Sequence, residues 1–526
     1  MHLIFDNIEL SPFEDEGSLG EQIQHVFHIP SPFPYDILRK SLDARDKGRI
    51  VYRYRVRADL PDALAQLLLK AKDVSLWHAS RDIPAQFQGC EGLKVLIVGA
   101  GPAGLFCALR LIEAGGSVLI LERGVPVEER LRDIELLQHI GSLNRESNVL
   151  FGEGGAGTYS DGKLMTRIHR PEVAWFFKKM VDLSAPRSIL YEQRPHIGTD
   201  RLVPIIREIR NRIEAAGSRI LFHEKIFDII THKETVMGVI TEKGNEYHAP
   251  YTVLATGHSA RDVYEILRRK GIRLEKKGFA IGLRVEHPAE LINTIQYGRF
   301  ARQHVLPPAE YSLRFYNEKT GRSVFSFCMC PGGEVINASS EEGRLCINGM
   351  SCSRRDSPYS NAALIVTIGD GDLPEDPLAG IAFQREMEEG AYAAGGEGYC
   401  APAQRIPSFL FDALDTSLPP VSYQPRVRPA QHTYLPSWLA AELKIALQHF
   451  ETKMKGFISN EGVLIGVETR TSSPVRIPRG ADYQSLSVRR LLPVGEGAGY
   501  AGGIVSAAVD GIRTADKICE DFQERQ

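Results

Sequence analysis

Apolar runs interrupted by glycine turns occur in two parts of the chain that are far apart in the sequence. Residues 95–98 are all apolar, which is typical of a parallel strand covered on both faces. A glycine turn, a helix and a second apolar strand at 118–121 follow, so this stretch predicts a βαβ unit. Residues 476–526 repeat the order of strand, glycine turn and helix. We therefore expect a single α/β domain formed by residues 89–275 and 476–526.

The stretch between these two parts has a different pattern. Residues 276–475 contain many short β-like runs, such as 279–285, 323–329 and 345–349, and prolines punctuate the region. This pattern predicts a β-rich domain inserted into the α/β domain, and we expect it to carry the substrate site.

Residues 1–88 predict a small α+β module. Residues 50–57 alternate apolar and basic side chains, as a half-buried strand does. Residues 35–45 and 61–72 each predict a short helix. Residues 85–92 then serve as the linker to the α/β domain.

Three arginines of this module, Arg53, Arg55 and Arg57, lie on one face of the predicted strand. One interpretation is a surface that docks an acidic protein or a nucleic acid. The other is the solvated face of a half-buried sheet, whose charge is balanced by nearby acids such as Asp43 and Asp59. We favour the solvated face.

Composition narrows the class of protein. The 526 residues are 43% hydrophobic and 25% charged with a net charge of −3, which indicates a globular protein with a real core. Eight cysteines show no paired C-x-x-C spacing, so neither a disulfide scaffold nor a metal site is expected. The first residues do not resemble a signal peptide, and no apolar run reaches about 18 residues. We expect a cytoplasmic protein with a small-molecule partner and neither a membrane nor a nucleic acid, while a redox or protein partner stays open.

The glycine turn after the first apolar strand is a G-x-G-x-x-G motif made by Gly99, Gly101 and Gly104. The first glycine permits a tight turn, the second lets the backbone approach a pyrophosphate, and the third lets the following helix pack close to the strand. That helix, predicted over Pro102–Glu113, directs its N-terminal N–H groups at the phosphates. The second strand ends in Glu122, an acid placed to bind ribose hydroxyls. Together these features predict a dinucleotide site.

Three later segments resemble those of FAD-containing reductases and hydroxylases. The Ala-Thr-Gly sequence at 255–257 is similar to a short strand–turn of these proteins. Residues 491–504 are similar to their C-terminal motif, in which an acid, here Glu496, binds the ribityl chain. The following helix, predicted from Gly503 to Ala515, would direct its N-terminus at the flavin. Residues 221–226 resemble the strand that meets the adenine ring.

Residues 151–163 hold five glycines. Such density points to close approach of a ligand or of another backbone segment. The position of this segment after the βαβ unit indicates contact with the flavin through backbone N–H groups, with Ser160, Asp161 and Lys163 adding polar contacts. The alternatives are a flexible surface loop and simple pairing of Asp161 with Lys163.

Several motifs together resemble a bacterial family of FAD-dependent dehydrogenases, which are uncharacterised NAD(P)/FAD-dependent oxidoreductases. The motifs are GAGPAG at 99–104, FGEGGAGTYSDGKL at 151–164, FCMCPGG at 327–333 and GEGAGYAGGIVSAAVDG at 495–511, together with the N-terminal module. The resemblance covers nearly the whole chain and implies the fold and the cofactor FAD, but no substrate. The expected fold class is α/β: a Rossmann-like FAD-binding domain of the glutathione-reductase type, an inserted β-rich substrate domain and a small N-terminal α+β module.

The residues expected to bind the cofactor come from all of these motifs. They are Gly99, Gly101, Pro102, Ala103, Gly104, Glu122, Arg123, Gly154, Gly157, Thr158, Ser160, Asp161, Lys163, Ile226, Ala255, Thr256, Gly257, Gly495, Glu496, Gly503 and Ile504.

Candidates for the chemistry lie in the inserted region and near the glycine-rich segments. Cys328 and Cys330 form a C-x-C pair that could exchange electrons with a flavin, although packing on one face of a strand is the alternative. Arg470 follows an apolar strand and could clamp a carboxylate or a flavin carbonyl, because a guanidinium binds such oxygens bidentately. The alternative there is a solvated crossover strand. Lys163 and His258 are further candidates, and a surface position is the simpler interpretation for the histidine.

The expected function is an FAD-dependent oxidoreductase that acts on an unidentified small molecule by hydride transfer at flavin N5. No second G-x-G-x-x-G motif opens a βαβ unit, so NAD(P)H would act only as a transient reductant. One alternative is a flavoprotein that acts on a nucleic acid or protein docked by the N-terminal module. Another is a non-catalytic FAD-binding protein.

Overall fold

The computed structural model describes residues 1–78, 87–303, 305–396 and 398–526. The first part contains β1 (His2–Leu10), α1 (Leu19–Phe27), β2 (Tyr35–Asp43), β3 (Val51–Asp59), α2 (Asp62–Leu68) and β4 (Val74–Leu76). The second contains β5 (Lys94–Val98), α3 (Pro102–Glu113), β6 (Ser117–Leu121), α4 (Val127–Ile140), α5 (Pro171–Asp182), α6 (Thr199–Ala215), β7 (Arg219–Leu221), β8 (Ile226–His232), β9 (Thr235–Thr241), β10 (Glu246–His248), β11 (Tyr251–Leu254) and α7 (Arg261–Arg269).

The third part contains β12 (Glu275–Lys276), β13 (Phe279–Pro288), α8 (Ala289–Tyr297), β14 (Arg314–Asn317), β15 (Arg322–Cys330), β16 (Glu334–Asn337), β17 (Ile347–Met350), β18 (Tyr359–Ile368), α9 (Ala379–Gly395), β19 (Ala401–Arg405), α10 (Ile406–Leu410), β20 (Val427–Pro429), α11 (Ser437–Lys453), β21 (Val463–Glu468) and β22 (Val475–Arg476). The last contains β23 (Leu491–Pro493) and α12 (Ile504–Glu524). Short 3-10 helices lie at Glu16–Ser18, Arg187–Leu190, Gly298–Gln303 and Asp370–Asp372.

The first four strands form an antiparallel sheet in the order β2-β3-β1-β4, with α1 and α2 as the connections of a βαββαβ unit. Alternate side chains such as Leu3 and Val56 are fully buried in a core that includes both helices. The predictions of a strand and a helix at β3 and α2 are confirmed. The helix predicted at 35–45 is wrong, because Tyr35–Asp43 is strand β2 and pairs with β3. The predicted linker 85–92 lies partly outside the described residues.

The three arginines of β3 are each paired with carboxylates. Arg53 pairs with Glu9 and Asp43, Arg55 with Asp6, and Arg57 with Asp36. Pairs that are exposed to this degree add little stability. They do balance the charge of this sheet face within the module, as the solvated-face interpretation expects.

The N-terminal module is attached to the rest of the chain through its edge strand β2. The Lys40 N–H donates to the Tyr191 carbonyl at 2.7 Å, and the Gln193 N–H donates to the Lys40 carbonyl at 2.9 Å. The Glu16 carboxylate accepts hydrogen bonds from Lys40, from the Tyr54 hydroxyl at 3.2 Å and from the Tyr191 hydroxyl at 2.9 Å. The module therefore continues the hydrogen-bonding pattern of its sheet into the neighbouring segment.

A five-stranded parallel sheet has the order β23-β11-β5-β6-β7. Its central residues, such as Ile97 and Val253, are fully buried in a core shared with α3 and α12. This burial on both faces explains why the strands are continuously apolar. A three-stranded antiparallel sheet, β10-β9-β8, leads into β11. Strand β23 follows residues 275–476 in the sequence but pairs with β11, so two distant parts of the chain build one sheet.

The region between them forms a seven-stranded mixed sheet in the order β14-β15-β18-β13-β21-β19-β20. Neighbouring strands are antiparallel except β19 and β20, which are parallel. Helix α11 packs on the sheet, and its Leu443 and Leu447 share a core with Leu283 and Leu364. The short β-like runs predicted here correspond to β13, β15 and β17.

No helix in the described part of the chain combines the length and the apolar composition needed to cross a membrane. Within the same residues, no group of three or more His, Cys, Asp or Glu side chains is arranged to hold a metal ion.

Candidate functional site

A large cavity is lined by two groups of residues. The first group follows the carboxyl ends of the parallel strands, where α/β folds bind their ligands. The second group comes from the seven-stranded region. Members of the first are Gly99, Glu122, Thr256 and Glu496, and members of the second are Cys328, Asn348, Glu468 and Arg470.

The glycine turn after β5 forms one wall of the cavity. Gly99 has a φ of +105°, and a Cβ there would lie 2.4 Å from the carbonyl oxygen of Ala255. A Cβ at Gly104 would lie 2.0 Å from the carbonyl oxygen of Gly99, so only glycine lets α3 pack this close to the strand. At Gly101 the nearest such atom is the Gly155 Cα at 3.9 Å, which leaves this backbone open. Of the three motif glycines, the first two line the cavity and the third packs behind them.

Glu122 lies directly after β6 and is 5% exposed. Its carboxylate accepts backbone hydrogen bonds from Ala100 at 2.8 Å, Gly124 at 2.9 Å and Gly152 at 3.1 Å. A carboxylate offers about four lone-pair positions, so about one remains for a ligand hydroxyl on the cavity side. The geometry thus suits a ribose, and it also ties the glycine turn to residues 151–163.

Arg123 lines the cavity beside Glu122. Its guanidinium pairs with Glu146 at 2.6 Å and Asp262 at 3.0 Å, and it stacks 4.1 Å from the centre of the Phe151 ring. These contacts hold the arginine in place at the cavity wall.

Residues 151–163 form a packed segment rather than a flexible loop, and a buried arginine holds them. Arg130 on α4 has no exposed side-chain surface and donates to the carbonyls of Asn148, Val149, Glu153 and Gly155 at 2.7 to 2.8 Å. Burial lowers the pKa of Arg130 to about 10, which still leaves it charged at neutral pH. This role could not be predicted from the sequence, because α4 carries several charged residues and nothing local distinguishes Arg130 from the others.

The predicted residues of this segment divide between the cavity and the layer beneath it. Gly157, Ser160, Asp161 and Lys163 line the cavity. Gly154 and Thr158 pack beneath, where a Cβ at the glycine would lie 2.2 Å from the threonine hydroxyl oxygen. Gly495 likewise packs behind the wall, since a Cβ there would lie 2.9 Å from the Ala103 Cβ. The remaining predicted cofactor residues line the cavity: Pro102, Ala103, Ile226, Ala255, Thr256, Gly257, Glu496, Gly503 and Ile504.

Asp161 is bound mainly from outside the cavity. Its carboxylate accepts hydrogen bonds from Arg355 and from the Ser351 hydroxyl, and it is 4% exposed. The Lys163 ammonium lies 3.4 Å away, so the pairing of these two residues that the sequence suggested is present. Burial alone would raise the pKa of Asp161, but Lys163 and Arg355 hold it below its ordinary value.

Glu496 and His258 lie together where β23 and β11 end. The His258 Nε2 is 3.8 Å from Glu496 Oε1, and its Nδ1 has no hydrogen-bond partner among the described residues. Burial, together with Arg470 and other nearby cations, lowers the pKa of His258 to about 3, so the ring is neutral. Burial raises the pKa of Glu496 to about 7, although Lys277 opposes the shift.

The N-terminus of α12 also meets the cavity. Gly502, Gly503, Ile504 and Ala507 line it at this point. The first N–H groups of a helix have no partner within the helix and carry partial positive charge. The structure therefore brings two helix N-termini, those of α3 and α12, to one cavity.

Cys328 and Cys330 both line the cavity as free thiols. The alternative interpretation of the pair, packing on one face of a regular strand, does not fit the structure. Instead β15 is irregular between Phe327 and Cys330, and Cys328 has a φ of +41°. This bulge leaves the Cys328 side chain exposed to the cavity, while Cys330 is buried.

Arg470 borders the cavity, but its guanidinium is already engaged. It donates to both oxygens of Glu388 at 3.0 and 3.1 Å and to the Ser340 hydroxyl at 2.6 Å. Arg261 donates to the same two oxygens of Glu388, each at 2.8 Å. The predicted role of Arg470 as a clamp for a ligand carboxylate does not fit this arrangement, because Glu388 occupies the clamp.

The sequence has a relative that covers nearly all of its length. It is 40% identical over 531 residues to an uncharacterised protein of Clostridium beijerinckii, with 99% of each chain covered. A family model described as "FAD-dependent protein, C-terminal domain-like" matches residues 278–471, and one described as "Pyridine nucleotide-disulphide oxidoreductase" matches residues 93–262.

Solved structures show weaker similarity. A geranylgeranyl bacteriochlorophyll reductase-like protein of Thermoplasma acidophilum is 13% identical, with a TM-score of 0.36, and the match covers 83% of this chain and 80% of that one. A flavoprotein/dehydrogenase of Cytophaga hutchinsonii is 11% identical, with a TM-score of 0.34, and the match covers 82% of this chain and 79% of that one.

The matched models define the class as a dinucleotide-binding flavoprotein of the oxidoreductase type. More particularly, the chain belongs to the same family as the Clostridium beijerinckii protein, a family of FAD-dependent proteins. FAD is its cofactor. The family resemblance and the cofactor predicted from the sequence are thereby confirmed.

Proposed function

We propose that this protein transfers a hydride between flavin N5 and a small molecule held against the seven-stranded region. The observation that carries the proposal is the shared cavity. One side presents the glycine turn and two helix N-termini, and the other presents side chains of the middle region, including Cys328, Asn348 and Glu468. This lining brings groups suited to the cofactor and groups suited to a reactant to one cavity.

The proposal assigns a role to each part of the chain. Residues 89–275 and 476–526 would form an FAD-binding domain of the glutathione-reductase type. Residues 276–475 would form the inserted substrate domain, and residues 1–88 the N-terminal module.

The residues present fit FAD at several points. Gly101 has open backbone at the N-terminus of α3, where a pyrophosphate would bind. Glu122 keeps about one free lone-pair position for a ribose hydroxyl. Gly157, Ser160, Glu496 and the start of α12 would hold the ribityl chain and the flavin ring.

When bound, FAD supplies the two-electron redox chemistry. The N-terminus of α12 would stabilise negative charge in the cavity through its free N–H groups. Glu496 can hold a proton at neutral pH, because burial raises its pKa to about 7. Neutral His258 offers Nδ1 as an unoccupied hydrogen-bonding atom.

We further propose NAD(P)H as a transient reductant that binds over the cavity. The test is an anaerobic titration of the FAD-loaded protein with NADH, NADPH and dithionite, followed by the loss of flavin absorbance. We expect NADH or NADPH to bleach the bound flavin faster than it bleaches free FAD under the same conditions. Reduction by dithionite alone would contradict the NAD(P)H route and leave a substrate or a redox partner as the electron donor.

A further inference from the structure

Lys163 is unusual among the cations that line the cavity. Its Nζ is buried and forms no hydrogen bond within the described residues. Among the described residues, the other cations that line the cavity are Arg123, Lys225 and Arg470. Each of them donates to a carboxylate. The nearest acid, Asp161, lies 3.4 Å from Lys163 but is already bound by Arg355. Lys163 lines the cavity, so these unused N–H groups lie in the wall that a ligand would contact.

Asn348 adds a donor whose orientation is fixed. Its Oδ1 accepts from Arg284 Nη2 at 3.1 Å and from the Gly349 N–H at 2.8 Å. The amide oxygen is thus turned towards Arg284, and the two N–H groups of Nδ2 point elsewhere. Since Asn348 lines the cavity and is only half-buried, those N–H groups are available to a ligand.

Cys328 lines the same cavity as Lys163 and Asn348. Arg284, which binds Asn348 through Nη2, also donates through Nη1 to the Cys328 carbonyl at 3.3 Å. The positive charge of Lys163 also acts on the Cys328 thiol and favours its ionised form. Desolvation within the cavity outweighs this effect and raises the pKa of the thiol to about 12, so it is a protonated, weak donor.

The acids nearest this corner are neutralised by other partners. Arg284 donates to the two oxygens of Glu468 at 2.6 and 3.0 Å, and the pair is almost fully buried. Arg355 does the same for Asp161. The corner defined by Lys163, Cys328 and Asn348 consequently presents one cation and several donors with no competing negative charge.

We propose that the corner of Lys163, Cys328 and Asn348 binds the carboxylate of a small organic acid, which is the substrate class of this protein. The assignment rests on the proposed oxidoreductase function, which it deepens. One ammonium and neutral donors match a singly charged oxyanion, and hydrogen bonds to ionised groups are the stronger ones. The corner belongs largely to the inserted region, opposite the glycine turn that serves the cofactor.

The test is a binding titration of the oxidised, FAD-loaded protein, followed by the shift of the flavin absorption bands. The probes are benzoate and acetate, with benzamide as the uncharged match for benzoate. We expect benzoate to perturb the spectrum and benzamide to leave it unchanged. K163Q should weaken benzoate binding about tenfold or more, since a charge-assisted hydrogen bond is lost. N348D should weaken it similarly, because it places a negative charge at the corner.

Lys179→Gln is the matched control, because Lys179 pairs with Glu113 on the outer helices and does not line the cavity. Benzoate binding should be unchanged in this variant. The proposal is overturned if neither carboxylate perturbs the wild-type spectrum, or if K163Q and N348D bind benzoate as wild type does. It is also overturned if K163Q loses FAD while its remaining holoprotein binds benzoate normally, since the lysine would then serve the cofactor. The titration involves no turnover, so its result does not depend on whether NAD(P)H reduces the flavin.

Discussion

The two sides of the cavity are built in different ways. On the parallel-sheet side the wall is mainly backbone: Gly99 packs against the Ala255 carbonyl, three backbone N–H groups donate to Glu122, and Arg130 holds the carbonyls of the neighbouring segment. On the side of the seven-stranded region the wall consists of side chains that satisfy one another, as Arg284 and Glu468 do.

This difference indicates what each side tolerates. On the backbone side some positions have no space for a Cβ, so steric fit decides whether a substitution is accepted. On the side of the buried ion pairs each charge needs its partner, so the electrostatic cost decides whether a substitution is accepted. Three changes test the contrast.

The largest effect is expected from Gly104→Val on the backbone side. The new side chain would strike the Gly99 carbonyl, and relief requires α3 to move away from the strand. Overpacking costs about 1–3 kcal/mol and more when backbone is struck, so we expect a loss above about 3 kcal/mol and no bound flavin. Flavin absorbance and thermal unfolding measure the two losses. Gly371→Ala is the control, because a Cβ there meets nothing within 4 Å. A G104V protein that kept its flavin would refute the steric account.

The next effect is expected from Glu388→Ala on the side-chain side. Burial alone would raise the pKa of Glu388, but Arg261 and Arg470 hold it well below its ordinary value. Removing the acid leaves two buried guanidinium groups to share one remaining carboxylate, which should lower the free energy of unfolding by up to about 3–5 kcal/mol. Glu389→Ala removes the neighbouring acid, which is 56% exposed and pairs with Arg344, and should cost less than about 1 kcal/mol. Urea unfolding at neutral pH measures the free energy of unfolding of both variants. Equal losses in the two variants would show that charge balance does not stabilise this side of the cavity.

The smallest effect concerns pH and Glu496. Its raised pKa means that the folded state binds the proton more tightly than the unfolded state does. The contribution to stability is complete below the unfolded pKa and is lost as pH rises through about 7. In flavin-stripped protein, E496Q should therefore reduce the fall in stability between about pH 5 and pH 8, by on the order of 1–2 kcal/mol. Thermal unfolding at several pH values gives the comparison; parallel profiles for the two proteins would count against the raised pKa.

Much of the fold was predictable because its signals are local. The apolar strand before Gly99, the glycine spacing and the acid at 122 are close together in the sequence, and each has a direct physical meaning. The same holds for residues 491–504. In contrast, the sequence around Tyr35–Asp43 contains good helix formers, yet pairing with β3 and with Tyr191 makes it a strand. Tertiary pairing overrode local propensity there.

The side-chain half of the site was harder to predict for a related reason. Arg470 has a position near the cavity, as expected, but its partner Glu388 lies 82 residues earlier on α9. Nothing in the local sequence connects them. The bulge that exposes Cys328 is similarly invisible in a regular alternation of strand residues. Arg130 and Asn348 act through contacts that only the folded chain creates.

The pairing of β23 with β11 also imposes an order in time. More than two hundred residues separate the two strands, so a ribosome adding about 5–20 residues per second needs roughly 10–50 s to make the second after the first. Throughout that interval the outer edge of β11 has no neighbour, and by its end every strand of the seven-stranded sheet has been synthesised. Glu496 and the start of α12 arrive later still. The seven-stranded side of the cavity is thus made before the parallel-sheet side is complete.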